Sequence, residues 1–581
     1  MGRMTGVRLI RLILRPLVGG AGPRADSATV HCSSSATLRP APMRRPIAVF
    51  CQLLFLAACA PAARSPNDDA TARTLGPLTR AERSGFRETS RYADVTTFLD
   101  SLAAQAPGAV LLGTIGQTTR GRAIPYALVS RPLVRTPEEA RRLGRPVVYV
   151  QGNIHGGEVE GKEALLALVR DLVREPRPNV LDSIVLVAVP IYNADGNERL
   201  ASQAVNRSEQ NGPELVGERA NAMGLDLNRD YVKAEAPETR ASLGMFARWD
   251  PDVFVDLHTT NGSYHGYALT YAPSLTPAAP LGGYTRDTLL PELRRRVRAR
   301  HGLETFDYGN FALEYGADVT PDTTKQGWYS YDHRPRFGTN YFGLRGRVAI
   351  LGEAYSHDPF ERRVAATYVF VRELLSLAAE RPAARARDAS NSAVAVRAEL
   401  TRTPYTGPVI AEDLARTGDS SRTEPGVPAG LRRTGRFRTV RIPIHDRFTP
   451  TLVRPRPAAY LLAASDTAAV RLLRLHGVRV EQASAPTEIA VRTFVVDSVV
   501  RSPRAFQGHN EVRLAGRWRD GRGRVEAGSW VVSTAQPLAR VAAYLLEPES
   551  DDGLATWNLF DARLRPDAEF PVRQALGATP R

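Results

Sequence analysis

The sequence predicts an α/β protein with a mixed, mostly parallel sheet flanked by helices, followed by a smaller α+β domain. Three observations predict it. Short apolar runs alternate with helix-period segments between residues 92 and 377. Polar, chemistry-bearing residues follow several of those runs directly. From about residue 436 the texture changes to period-two alternation with only two short helical stretches. A chain of 581 residues is also long enough for two or more domains.

Taken in order, residues 146–150 (Pro-Val-Val-Tyr-Val) read as a buried strand. Residues 159–173 read as a helix, with Ala164, Leu165, Leu168 and Val169 on one side. Residues 184–189, 253–257 and 348–351 read as further strands. Ligands in such folds bind beyond the carboxyl ends of strands. Residues 380–435, rich in Ala, Arg, Ser, Thr and Pro, read as a linker with little fixed structure. Residues 436–581 form the second domain, with strands at 438–443 and 488–496 and helices at 468–476 and 538–546. Asp551-Asp552-Gly553 reads as a turn, far short of a calcium loop.

Composition narrows the function. At 43% hydrophobic and 24% charged residues, the chain is of ordinary globular type. Its net charge is +16, but all except Lys162, Lys233 and Lys325 of the 77 basic residues are Arg, spread over the whole chain. No basic run with interleaved aromatics is present, so nucleic acid is not an expected partner. The cysteines are Cys32, Cys51 and Cys59. A disulfide framework and a Cys-ligated metal are therefore excluded from the body of the chain, and any metal there takes His and carboxylates.

The N-terminal region reads as an export signal. Met43-Arg44-Arg45 opens a basic stretch, and an apolar run follows over residues 47–56, too short to span a bilayer. Leu56-Ala57-Ala58-Cys59 resembles a bacterial lipobox, with Cys59 as the lipidated residue. Residues 1–59 are thus read as an upstream segment and lipoprotein signal, residues 60–91 as a tether, and residues 92–379 as the α/β domain. The expected location is the bacterial cell envelope, with the membrane reached through the lipid.

Four stretches carry candidate chemistry. In Gly152-Asn-Ile-His-Gly-Gly-Glu158, His155 and Glu158 follow a strand and open a helix, so both can turn toward one ion. Zinc accepts both, with an open fourth position when it is catalytic. His258, in Asp256-Leu-His-Thr-Thr260, is the natural third ligand, although alone it would read as a satisfied core histidine. Asp256 is either its partner or a strand-interior residue. Glu353 ends another apolar strand and could act as a general base, or sit in a salt bridge. In the stretch from Gly224 to Asp230, Asn228 and Arg229 could grip a carboxylate, or pair within the fold.

The order His155-x-x-Glu158, Asn193-Ala-Asp-Gly196, Asn228-Arg229, His258, Glu353 resembles the zinc metallocarboxypeptidases, the carboxypeptidase A-like family, over about residues 92–377. The resemblance implies a zinc peptidase that removes C-terminal residues from a peptide substrate. It implies His155, Glu158 and His258 as zinc ligands, Glu353 as general base, and Asn228 with Arg229 as the holder of the substrate's terminal carboxylate. An arginine that polarises the scissile carbonyl is expected upstream; Arg207 is the choice and Arg219 the runner-up. A tyrosine before the catalytic Glu is also expected, with Tyr331 preferred on spacing over Tyr341. Two departures stand out. Ala194 replaces the family's usual proline, and Gly157 stands where digestive members place Arg. The remaining alternatives are a zinc amide hydrolase acting on non-peptide substrates and a non-catalytic envelope binding lipoprotein.

Overall fold

The computed structural model describes residues 76–311, 327–380, 393–418, 427 and 429–577. Cys59 and the expected signal lie outside the described residues, as does the tether up to Leu75.

The apolar runs form strands because nearly every side chain in them is buried. Eight strands make the main sheet: β1 (Val110–Gln117), β2 (Ala123–Val129), β3 (Val147–Gly152), β4 (Val185–Val189), β5 (Val253–Thr259), β6 (Leu269–Pro273), β7 (Thr305–Asp307) and β8 (Val348–Ala354). Their order is β1-β2-β4-β3-β5-β8-β6-β7. The central strands β4, β3, β5 and β8 are mutually parallel. Each is buried along its whole length, as parallel strands covered on both faces are. Antiparallel pairing of β2 to β4 and of β6 to β8 makes the sheet mixed. β5 runs on to Thr259, so Asp256 and His258 lie within the strand, not after it.

The longer helices of this part are α1 (Tyr92–Gln105), α2 (Glu160–Arg174), α3 (Pro237–Trp249), α4 (Leu290–His301), α5 (Gly338–Leu344) and α6 (Phe360–Glu380). α1 buries Val95, Phe98, Leu99 and Leu102, a single helical stripe. α3 opens on Pro237, and α4 ends on Gly302 in the left-handed conformation. α2 begins just after the ligand loop and packs against α6.

Two expectations about connecting segments are corrected. The first is the tether to residue 91. Thr79 caps a short helix, Arg80–Ser84, in a reciprocal capping box with Glu82. Thr89 and Ser90 then donate to the buried Glu163 of α2. Residues 76–91 therefore belong to the fold.

The second is the linker at residues 380–435. It contains β9 (Val394–Leu400), β10 (Tyr405–Arg416) and the start of β11 (Leu431–His445). β10 and β11 form a long antiparallel hairpin, and β11 also runs parallel to the short strand Trp328–Tyr329. The boundary at residue 436 cuts β11 in half. Buried Gly407, Val409 and Ala411 alternate in β10. Pro408 hides that pattern in the sequence, yet β10 is an edge strand, where proline is tolerated.

The remaining strands are β12 (Phe448–Arg454), β13 (Ala459–Leu462), β14 (Thr487–Arg501), β15 (Val512–Val525), β16 (Trp530–Ser533) and β17 (Arg573–Ala575). The helices are α7 (Thr467–Leu475) and α8 (Ala539–Leu546). With Glu481–Gln482 at one edge, the second sheet continues β16-β13-β17-β14-β15. One hydrophobic cluster runs from Tyr149, Phe254 and Phe342 to Leu473, Val541 and Trp557. The two parts thus share a core. Asp552 is more than a turn residue: it is buried and accepts from the Arg336 backbone and guanidinium and from Trp557 Nε1.

Candidate active site

The sheet brings the carboxyl ends of β3, β5 and β8 side by side. In the pairing of β5 with β8, Glu353 is the register partner of His258. At the end of β3, Asn153 takes φ +63° and turns the chain. Its amide nitrogen lies 3.1–3.2 Å from the carbonyls of His155, Gly156 and Glu158, shaping the ligand loop. Gly156 fits because a Cβ there would lie 2.4 Å from the Glu218 carbonyl oxygen.

His155, Glu158 and His258 are buried, and their ligating atoms all lie within 4.8 Å of one another. His155 Nδ1 is 2.8 Å from Glu158 Oε1, and His258 Nδ1 is 2.9 Å from Glu158 Oε2. Behind the rings, His155 Nε2 is 3.1 Å from Asp226 Oδ1, and His258 Nε2 is 3.0 Å from Asp256 Oδ2. Those carboxylates favour the tautomer with hydrogen on Nε2, as carboxylate partners of metal-bound histidines do. Arg219 Nη1, which can only donate, lies 3.2 Å from His155 Nδ1 and agrees with a lone pair there. Two imidazole lone pairs then face one carboxylate, and a cation between them satisfies all three. Two His and one Glu in this arrangement fit zinc.

Burial would raise Glu158, but the contacts with His155, Arg207 and His258 outweigh it and hold its carboxyl well below the usual range. Glu353 goes the other way. Burial and the neighbouring Glu158 push it up to about 8, against the pull of His258 and the arginines. Glu353 Oε2 is buried with no hydrogen-bond partner among the described residues.

Residues 95–331 match the family described as zinc carboxypeptidase. Those residues form a zinc carboxypeptidase domain. The enzyme is a metallopeptidase that hydrolyses peptide bonds and removes C-terminal residues. It is similar to "Carboxypeptidase 2" of Trichophyton equinum, at 23% identity over 475 residues covering 76% of this chain and 79% of the relative. It is also similar to "Carboxypeptidase D" of Homo sapiens, at 32% identity over 157 residues, 26% of this chain and 10% of that one. A metallo-carboxypeptidase structure from Burkholderia cenocepacia overlays at a TM-score of 0.36 and 19% identity, covering 49% of this chain and 68% of that one. The family match ends at Tyr331, so Glu353 lies beyond it and is placed by strand register.

Around the candidate metal triad of this carboxypeptidase the two arginines occupy different positions. Arg207, 5% exposed, gives Nη1 to Glu158 Oε1 at 3.0 Å and Nη2 to the carbonyls of Thr259 and Thr260. Its Cγ lies 2.7 Å from where a Cβ on Gly157 would stand, so it fills the space a side chain at 157 would need. Arg207 is thus buried against Glu158, with both terminal nitrogens engaged. Arg219 is 38% exposed, and its Nη1 reaches both His155 Nδ1 and Glu158 Oε1. Asn193 braces it, donating to the carbonyls of Ile154 and Arg219.

Asp226 begins the short turn Leu227–Arg229 and accepts from the Asn228 backbone. Asn228 Oδ1 accepts from the Gly338 backbone at 2.8 Å, which leaves its amide hydrogens to donate. The Arg229 guanidinium lies 3.9 Å above the Phe337 ring, and its Nη1 donates to the Asn228 carbonyl. Tyr331 bonds through its hydroxyl to Asn340 Oδ1 at 3.2 Å, and burial keeps that hydroxyl protonated. Tyr341 is fully buried and hydrogen-bonded to His476 Nδ1, away from the metal ligands. Asp226, whose role the sequence does not mark, bonds to His155 and Arg219 together.

Proposed function

We propose that the enzyme docks the free carboxylate of a peptide on Asn228 and Arg229 and releases the last residue, with Glu353 moving the proton. The observation that carries this reading is Glu353: a buried carboxylate with an unpartnered oxygen, in register with His258. His155, Glu158 and His258 would hold zinc, which when bound supplies a Lewis acid for a water and for the scissile carbonyl. Glu353 takes a proton from the attacking water as the C–O bond forms. It returns that proton to the nitrogen as the C–N bond breaks. Its raised proton affinity suits both halves of the task. Arg219, the more exposed guanidinium, faces the developing oxyanion, while Arg207 fixes Glu158 from below. Tyr331 would close over the product end once it gives up Asn340 and the Pro273 carbonyl.

Incubation of the wild type and Glu353→Gln with a mixed peptide pool, read by mass spectrometry, tests this. Loss of single C-terminal residues from free-acid peptides by the wild type alone is expected. Internal cuts would overturn the docking role of Asn228 and Arg229. No peptide cleavage by a zinc-bound protein would favour amide hydrolysis of non-peptide substrates.

The export reading remains part of the proposal and rests on residues 43–59. The mature N-terminus would be lipidated Cys59, placing the enzyme at the bacterial envelope. Mass spectrometry of the N-terminal peptide from the membrane fraction tests it; an unmodified residue ahead of Cys59 would overturn it.

A further inference from the structure

We propose that the C-terminal domain contributes a substrate-binding residue, Gln507, whose amide hydrogens donate to the terminal carboxylate of the peptide. This rests on the docking role proposed for Asn228 and Arg229.

Gln507 sits at the tip of the connection between β14 and β15. Phe506 N donates to His509 O at 2.8 Å, and His509 N returns the bond to Phe506 O at 3.0 Å. Gln507 and Gly508 between them take φ +50° and +83°. This is the two-residue turn with both central residues left-handed, for which Asn-Gly or Asp-Gly is the favoured pair. A glutamine in the first position is disfavoured there. A disfavoured residue held at a tip is a reason to ask what its side chain does.

That side chain reaches the active site. Asp226 N donates to Gln507 Oε1 at 2.9 Å. A backbone N–H can only donate, so the amide orientation is fixed: the oxygen faces Asp226, and Nε2 is the end left to donate. Nε2 has no partner among the described residues, and the residue is half-buried. Asp226 opens the very turn that carries Asn228 and Arg229. The carboxamide is therefore fixed to the first residue of the turn that carries the two groups proposed to hold the substrate's carboxylate.

The tip is anchored on both sides of that pair. His509 Nε2 lies 2.8 Å from Glu235 Oε1, just beyond the carboxylate-binding turn. Arg336 bonds to Glu511, and its guanidinium lies 5.3 Å from the Phe506 ring centroid. The next two residues are Phe337, under Arg229, and Gly338, which donates to Asn228. The second domain thus holds both flanks of the proposed docking turn and bonds to its first residue through Gln507.

The test uses the full chain, with Gln507→Asn and Gln507→Ala introduced into the inactive Glu353→Gln background. Binding of one peptide is measured as its free acid and as its C-terminal amide. Asn keeps the turn and is better suited to it, but its side chain is one methylene shorter. We expect the free acid to bind about tenfold more weakly to Gln507→Asn, a change of about 1.4 kcal/mol, with the amide little affected. Zinc content and melting temperature should be unchanged. Unaltered free-acid binding by a folded Gln507→Asn protein would overturn the proposal. So would a loss confined to zinc content, which would make Gln507 a positioning residue acting through Asp226. If the parent itself bound acid and amide alike, the docking reading would fail, a result distinct from failure of the role of Gln507.

Discussion

Glu353 and His258 are register partners on adjacent parallel strands, so backbone pairing fixes the proposed base beside a proposed metal ligand. No loop intervenes between them. Positioning of this kind holds the reacting groups without further ordering on substrate binding.

Glu353→Gln keeps the shape of the side chain and removes its ability to accept a proton. The variant should lose kcat by about 10²–10⁴-fold, the usual contribution of a positioned acid–base group. Its zinc content should match the wild type, since Glu353 is not among the three ligands. Turnover of a free-acid peptide and metal analysis on the same sample check both halves. Near-normal kcat would move the base elsewhere.

The two arginines should separate cleanly. Arg219→Ala removes the exposed guanidinium and should cut kcat by about 10²–10³-fold, as loss of an oxyanion donor does, with little change in melting temperature. Arg207→Ala leaves buried Glu158 and the Thr259 and Thr260 carbonyls without their donor. It should destabilise the fold by about 3 kcal/mol or more, as breaking a buried ion pair does. Denaturant titration beside steady-state kinetics distinguishes the two. The opposite pattern would return the carbonyl role to Arg207.

Much of this site could be read in the chain. Apolar runs mark β3, β5 and β8 because strands buried on both faces need no polar alternation, and the residues following them fall at the strand ends. His155 and Glu158 are legible because a short strand-to-helix turn brings both to one point. The different burial of Arg207 and Arg219 was not legible, because it depends on which side chain fills the space beside Gly157. β10 was hidden by its own edge position, which admits Pro408. Gln507 left no signal at all: its contact with Asp226 joins residues from different domains.

Removal of zinc by a chelator should abolish peptide hydrolysis, and added zinc should restore it. The ligands are buried, so the metal-free protein leaves two imidazoles and a carboxylate facing one another. The melting temperature should fall on chelation and rise again with zinc, since a metal that binds only the native state stabilises it by mass action. His258→Ala should bind zinc weakly and show little melting response to added metal. Asp226→Asn, which removes the charge behind His155, should weaken zinc binding by about 10–100-fold. Equilibrium competition with a chromogenic chelator measures both.

Lys162 gives the fold a pH dependence of its own. It is fully buried on α2 and donates to the Ser90 carbonyl and to Asn197 Oδ1. Burial pushes it down to about 8 from 10.5, against the favourable charges of Glu163 and Glu198. Below pH 8 both folded and unfolded chains hold the proton, and the folded state bears the burial penalty in full. Between about 8 and 10.5 the unfolded chain keeps the proton that the folded chain releases, so this group makes stability rise with pH. The full span is on the order of 3 kcal/mol. Unfolding free energies of the wild type and Lys162→Met, compared at pH 7 and pH 10, isolate it. The wild type should gain stability relative to the variant over that interval. A constant difference would mean that Lys162 keeps its proton in the fold and that its two hydrogen bonds outweigh its burial.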